Sequence, residues 1–244
     1  LFKKNPAAKI ELPFKPIWLF AVLALAVLNL ILTVSRGAYL ALAGVGLLTV
    51  LIYFKEIMKP KRIMGILLLL AFALAGTYGF LLVTGKTENI TTYIEHTTSY
   101  QEGAGVVERY QTYEDAFDMI WRHPWLGVGI GNFGPEVAQI PWLAPKDGWL
   151  IVNNEALELW AETGIFGLFA IVLIIVMLII RTIAVFRQSC DPLVKTLLVG
   201  MMIALFGIII QYQTFSILYI VHIWFLIGLI VATQNICLNT ENKR

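Results

Sequence analysis

Six stretches of this chain, roughly residues 17–35, 38–54, 63–84, 155–180, 193–211 and 215–234, are apolar and long enough to cross a lipid bilayer. A bilayer core of ~30 Å asks for ~20 mostly apolar residues in a helix. Inside that layer no water satisfies backbone N–H and C=O groups, so a spanning segment must be a helix or a strand of a closed barrel. These runs are continuous rather than alternating, which selects helices. The predicted fold class is therefore all-α, a polytopic membrane helical bundle of about six spans. Only 14% of the residues are charged, against ~25% in a typical soluble domain. The first run is too long for a cleaved leader, lacks a small-residue cleavage site and is followed at once by a second span. The chain starts at Leu1 rather than Met, and is expected to be the C-terminal fragment of a longer protein with more spans upstream.

Lys and Arg set the orientation, because they concentrate on the cytoplasmic side. Thirteen of the 18 lie at one set of span ends, among them Lys55, Lys59, Lys61, Arg62, Arg181 and Arg187. Five lie at the other: Arg36, Lys86, Arg109, Arg122 and Lys146. Both termini are then cytoplasmic, and a long loop is external. The chain reads as three spans in 1–84, an external, periplasmic-side loop over 85–154, and three spans with a short tail in 155–244. Cys190 and Cys237 are far apart in sequence, so no disulfide framework or zinc spacing is expected. Both fall on the reducing side. A net charge of +2 gives no electrostatic case for binding nucleic acid.

An outer segment of this length is more than a connector. It opens irregular and polar, and its Asn89-Ile90-Thr91 sequon is too common a pattern to carry weight. Residues 106–122 predict an amphipathic helix. Val106, Tyr110, Tyr113, Phe117, Ile120 and Trp121 follow helical spacing, with Glu108, Glu114, Asp115 and Asp118 opposite. Pro124 ends it. The following HPWLGVGIGNFGP holds Gly127, Gly129, Gly131 and Gly134. No strand precedes it, so it is no dinucleotide loop; it reads as a tight turn where backbones approach closely. Trp125, Trp142 and Trp149 suit a segment at the membrane interface.

The polar residues that stand out lie on the outer side. Asn153, Asn154, Glu155, Glu158 and Glu162 gather where loop meets span, and the carboxylates recur in steps of three and four on one helical face. Acids at a helix start suit its dipole, yet at the edge of hydrocarbon they are costly unless used or paired. Arg36, in Ser35-Arg36-Gly37 between two spans, is either a snorkelling anchor or an anion ligand with a phosphate-matching fork. Arg109 stands among twelve acids between Glu88 and Glu162, and either pairs with one of them or binds an anion. His96, His123 and His222 are each isolated, and no Ser-His-Asp arrangement or metal-ligand spacing is evident. Asp115 and Asp118, one turn apart, read as a solvated face.

Three of these features resemble landmarks of the O-antigen ligase and polymerase family of bacterial envelope enzymes. They are Ser35-Arg36-Gly37 between spans, Arg109 upstream of HPWLGVGIGNF in a long external loop, and a span-start pattern. That pattern is His, then Asn, Ser or Gln, nine residues, Gly, two residues, Gly. Asn154, Gly164 and Gly167 fit it, with 155–163 as the spacer. The resemblance covers nearly the whole chain. It implies a multi-pass protein of the bacterial inner membrane that transfers glycan on the external side. The donor would be a glycan on undecaprenyl diphosphate, and the acceptor a sugar hydroxyl on another lipid. Arg36 and Arg109 would stabilise the leaving diphosphate, with no metal or other cofactor.

One position departs from the family pattern. Its leading histidine, the proposed base of the ligases, is Asn153 here, and an amide takes up no proton at neutral pH. Glu155, Glu158 or Asp147 is then the candidate base, with Asn153 as a group that orients the acceptor. Two other classes compete: a transporter or flippase component for the same lipid-linked sugars, and a non-catalytic membrane scaffold derived from the family. A transporter predicts charged or broken helices near the bilayer midplane. The spans here are almost free of ionisable residues at mid-depth, His222 being the exception to examine.

Overall fold

The computed structural model describes residues 16–33, 35–84, 104–138, 142, 149–187, 191–216 and 220–241. Among the described residues all regular structure is helical: α1 Pro16–Thr33, α2 Arg36–Ile57, α3 Pro60–Thr84, α4 Ala104–Arg122, α5 Phe133–Val137, α6 Glu155–Arg187, α7 Pro192–Gln211 and α8 Val221–Glu241. Among the described residues five helices are long and apolar enough to cross a membrane, namely α2, α3, α6, α7 and α8. The 18-residue α1 is also apolar. At 1.5 Å per residue it reaches roughly 27 Å. The chain is thus an all-helical, multi-pass membrane protein. It divides into two units, Leu1–Gly103 and Ala104–Arg244, described in turn.

In the first unit α1 and α2 both pack against α3. The link between α1 and α2 is almost nil because Ser35 caps α2: its hydroxyl accepts the Ala38 N–H at 3.3 Å, filling an otherwise orphaned donor. Tyr39 ties back to α1, donating its hydroxyl to the Ile31 carbonyl at 3.0 Å. The α2–α3 turn places Pro60 at the start of α3, where its missing N–H costs nothing. Glu56 pairs there with Lys59 at 2.7 Å and Arg62 at 3.0 Å.

In the second unit α6, α7 and α8 enclose a core of Leu178, Val185, Leu198, Leu205, Tyr212, Ile223, Ile230 and Cys237. Gln234 is fully buried there. Its amide donates to the Leu178 carbonyl at 3.1 Å and the Thr182 hydroxyl at 2.9 Å, a polar tie between spans of the kind apolar surroundings favour. The outward side of α6 leaves Phe166, Phe169, Leu173, Met177 and Ile180 exposed. Such a stripe in water would be a large uncompensated patch, whereas lipid covers it at no cost.

Several boundaries differ from the expected ones. α6 runs to Arg187 rather than 180, and a break at Gly164 divides it; the run from 165 to 187 is roughly 35 Å long, enough to cross the hydrocarbon. α8 starts at Val221 rather than 215; α7 itself ends in a turn, where Gln213 and Thr214 N–H groups bond back to Ile210 and Gln211. Cys237 is disulfide-bonded, which corrects the expectation drawn from the wide cysteine spacing. The orientation then rests on the Lys and Arg count alone.

The α4 face is also corrected. Thr112, Ala116, Met119 and Ile120 are buried and Tyr113 is half-buried, whereas Tyr110, Phe117 and Trp121 are exposed. The small Thr112 and Ala116 let the backbone close in, and the Thr112 hydroxyl lies between the Arg109 carbonyl of its own helix at 3.0 Å and the Val152 carbonyl at 3.3 Å. With Phe133, Val152 and Ala161, this stripe makes a second core that joins α4, α5 and the start of α6.

Candidate functional site at the start of α6

The site begins with a break in a helix. Gly164 interrupts α6 with φ 68 and ψ −173, a backbone region essentially closed to residues with a Cβ. The break frees backbone groups that a continuous helix would pair internally, and the glycine turn takes them up. Val128 N–H donates to the Ala161 carbonyl at 3.1 Å, Gly129 N–H to the Glu162 carbonyl at 2.8 Å, and Ile165 N–H to the Pro124 carbonyl at 3.0 Å. The two backbones are so close that a Cβ on Gly127, itself at φ 65, would run into the Glu162 peptide, and one on Gly164 into the Trp125 carbonyl. The Glu162 side chain adds a fourth tie, accepting the Phe133 N–H at 3.1 Å and anchoring α5.

The first turn of α6 is built from the polar cluster. Asn154 caps it, accepting the Leu157 N–H at 3.2 Å. Asn153 sits just before in the left-handed region, with φ 58. Its N–H donates to the Ser216 hydroxyl at 3.0 Å. Ser216 donates in turn to Glu158 Oε2 at 2.5 Å, and the same oxygen accepts the Val152 N–H at 2.7 Å. Glu155 N–H donates to the Tyr212 carbonyl at 2.9 Å. The turn after α7 therefore holds the entry to α6. Burial, with the Glu155 charge adding to it, keeps the Tyr212 phenol above its ordinary range and protonated.

Glu155, Glu158 and Glu162 line one cavity of about 230 Å³ together with Ile130, Leu159, Thr163 and Trp224. Its walls combine carboxylates with an indole and aliphatic carbon, so it offers proton acceptors beside a low-dielectric surface. Glu158 and Glu162 are nearly inaccessible, at 9% and 8% exposure, which leaves Glu155 as the most open of the three.

The sequence profile of the family described as O-antigen ligase matches residues 21–172, more than half of the chain. The chain belongs to the O-antigen ligase family. No curated protein matches it. The matched stretch runs from α1 through the first half of α6, so it includes Arg36, Arg109, the glycine turn and the Asn154–Gly164–Gly167 pattern, and it stops short of α7 and α8.

The candidate residues named from the sequence fall as follows in this O-antigen ligase family member. Asn153, Glu155 and Glu158 come together at the start of α6, although Asn153 lies outside the cavity lining. Arg109 is exposed on α4, and among the described residues no carboxylate pairs with it. Arg36 is the first residue of α2; its side chain lies outside the described residues, as do Asp147 and His96. Arg36 belongs to the other unit. His123 is exposed and lines a separate cavity with Asp115, Asp118, Arg122 and Glu136. His222 is exposed at the start of α8 rather than at mid-span. Among the described residues no group of three His, Cys, Asp or Glu is placed to hold a metal ion. Sequence reasoning missed Ser216, Tyr212 and Thr112. Ser216 follows Tyr212 and Thr214 between two apolar runs, and no local pattern distinguishes its hydroxyl from theirs.

Proposed function

We propose that this member of the O-antigen ligase family is a glycosyltransferase of the bacterial inner membrane. It transfers or polymerises a glycan carried on undecaprenyl diphosphate, on the external side. The observation that carries the reading is the cavity at the start of α6 on which Glu155, Glu158 and Glu162 converge. A sugar hydroxyl of a lipid-linked acceptor attacks the anomeric carbon of the donor. The bond from that carbon to the diphosphate oxygen breaks, and its electron pair leaves on undecaprenyl diphosphate. The hydroxyl proton passes to a carboxylate, a step worth about 10²–10⁴-fold when the base is well placed.

Glu155 is assigned as that base. Glu158 lines the same cavity, but its Oε2 already accepts from Val152 and Ser216, so it serves the loop first. Asn153 orients the acceptor hydroxyl. Arg36 and Arg109 offset the charge that develops on the diphosphate, the kind of preorganised electrostatics that dominates many such reactions. Arg36 at the first position of α2 adds the positive end of a helix, and Arg109 is exposed for contact with an anion. Purified protein supplied with lipid-linked glycan, extracted from cells that lack the gene, is expected to yield longer or transferred glycan on a gel. No product from correctly inserted protein removes this reading.

A further inference from the structure

We infer that Ser216 is a positioning residue: its buried hydroxyl latches Asn153 into the left-handed backbone conformation and thereby sets the direction of the Asn153 amide. Among the described residues Asn153 is the one non-glycine residue with positive φ. That conformation costs an L-residue about 1–2 kcal/mol, less for Asn, and persists only where surroundings impose it.

Hydrogen bonds impose it here. Ser216 is 0% exposed. Its oxygen accepts the Asn153 N–H at 3.0 Å, and its proton goes to Glu158 Oε2 at 2.5 Å. A hydroxyl has one proton to give, so the carboxylate fixes the rotor and leaves a lone pair aimed at Asn153. Val152 N–H reaches the same carboxylate oxygen at 2.7 Å. Two consecutive backbone donors are thus held by one Glu158–Ser216 pair. The Asn153 amide itself has only a long contact, 3.4 Å from Nδ2 to the Ile151 carbonyl, outside the usual range of ~2.7–3.2 Å. Its direction is inherited from the backbone, hence from Ser216. Ser216 also lies beyond the stretch matched to the family. The consequence for rate rests on the glycosyl-transfer reading; the latch does not.

Two measurements on the purified full chain test it. The first is hydrogen–deuterium exchange of the peptide covering 149–157. Ser216→Ala is expected to speed exchange there about tenfold, the loss of one hydrogen bond, and Ser216→Thr, which keeps the hydroxyl, to stay near the parent. Unchanged exchange in Ser216→Ala overturns the latch. The second is a double-mutant cycle on transfer, with lipid-linked glycan extracted from cells lacking the gene as donor. Ser216→Ala is expected to lower kcat about 10–100-fold with little change in the donor KM, since a misplacement of ~1 Å costs ~10²-fold. In an Asn153→Gly background, which adopts positive φ unaided and has no amide to aim, Ser216→Ala should add no further loss. Penalties that multiply show that Ser216 does not act through Asn153 and overturn the positioning role. A parent that makes no product removes the glycosyl-transfer reading, and the exchange result then decides the latch alone.

Discussion

Gly164 has no room for a side chain because the carbonyl of Trp125 occupies the place where its Cβ would stand. The break in α6 and the glycine turn are therefore one feature: each supplies the hydrogen-bond partners that the other lacks. Gly164→Ala meets both a forbidden backbone region and a backbone clash, and is expected to cost about 3 kcal/mol or more. Gly228→Ala on α8, where a Cβ meets nothing within 4 Å, should change stability by less than about 1 kcal/mol. Thermal unfolding of the two variants in detergent makes the comparison. Equal midpoints would show that the turn and the break do not depend on each other.

Glu162 holds α5 through a single side-chain oxygen. Glu162→Ala leaves the buried Phe133 N–H without its acceptor and is expected to cost about 1–3 kcal/mol, while Glu162→Gln retains an acceptor and costs less. Amide exchange over 129–137 reads the difference directly. The Ala variant should exchange faster there and the Gln variant should not.

The orientation is open to a direct test. With the loop external and the α2–α3 turn cytoplasmic, Glu95→Cys should react with an impermeant thiol reagent in intact cells, and Met58→Cys only after the membrane is opened. Labelling at 58 but not at 95 in intact cells would reverse the orientation and move the carboxylate cavity to the other side.

The spans were readable because hydrocarbon demands long apolar runs and tolerates little else, so length alone identifies them. Their ends were less so: α8 starts later than predicted, and Ser216, counted in that span, instead serves a site 63 residues away in sequence. On α4, spacing revealed a helix but not which stripe is buried, since Tyr110, Phe117 and Trp121 are as apolar as what the core takes. Thr112 and Ala116 are buried because they are small, a property that hydrophobic periodicity ignores. The glutamates at the start of α6 were visible as a costly cluster on one face. Their division of labour was not, because it depends on partners from α5 and from the turn after α7.

The proposed role of the two arginines depends on the shape of charge as well as its sign. Arg36→Lys and Arg109→Lys each keep a cation but lose the bidentate fork. Each is expected to lower transfer about 10²–10³-fold, the scale of removing one preorganised donor, with the protein still inserted. Full activity in both Lys variants would remove the two arginines from the proposal.

The last test concerns the proton. Glu155→Gln keeps shape and hydrogen-bonding capacity but deletes the base, so transfer should fall about 10²–10⁴-fold. Glu158→Gln retains an oxygen for Val152 and Ser216, and is expected to lose less. If both variants turn over like the parent, neither acid removes the proton. Asn153→His then becomes decisive. It restores a titratable group at the position that carries histidine in the ligases this chain resembles. A rise in transfer in Asn153→His, with Glu155→Gln now tolerated, would mean that the introduced imidazole has taken over the proton and that Glu155 does this work in the parent only because Asn153 cannot.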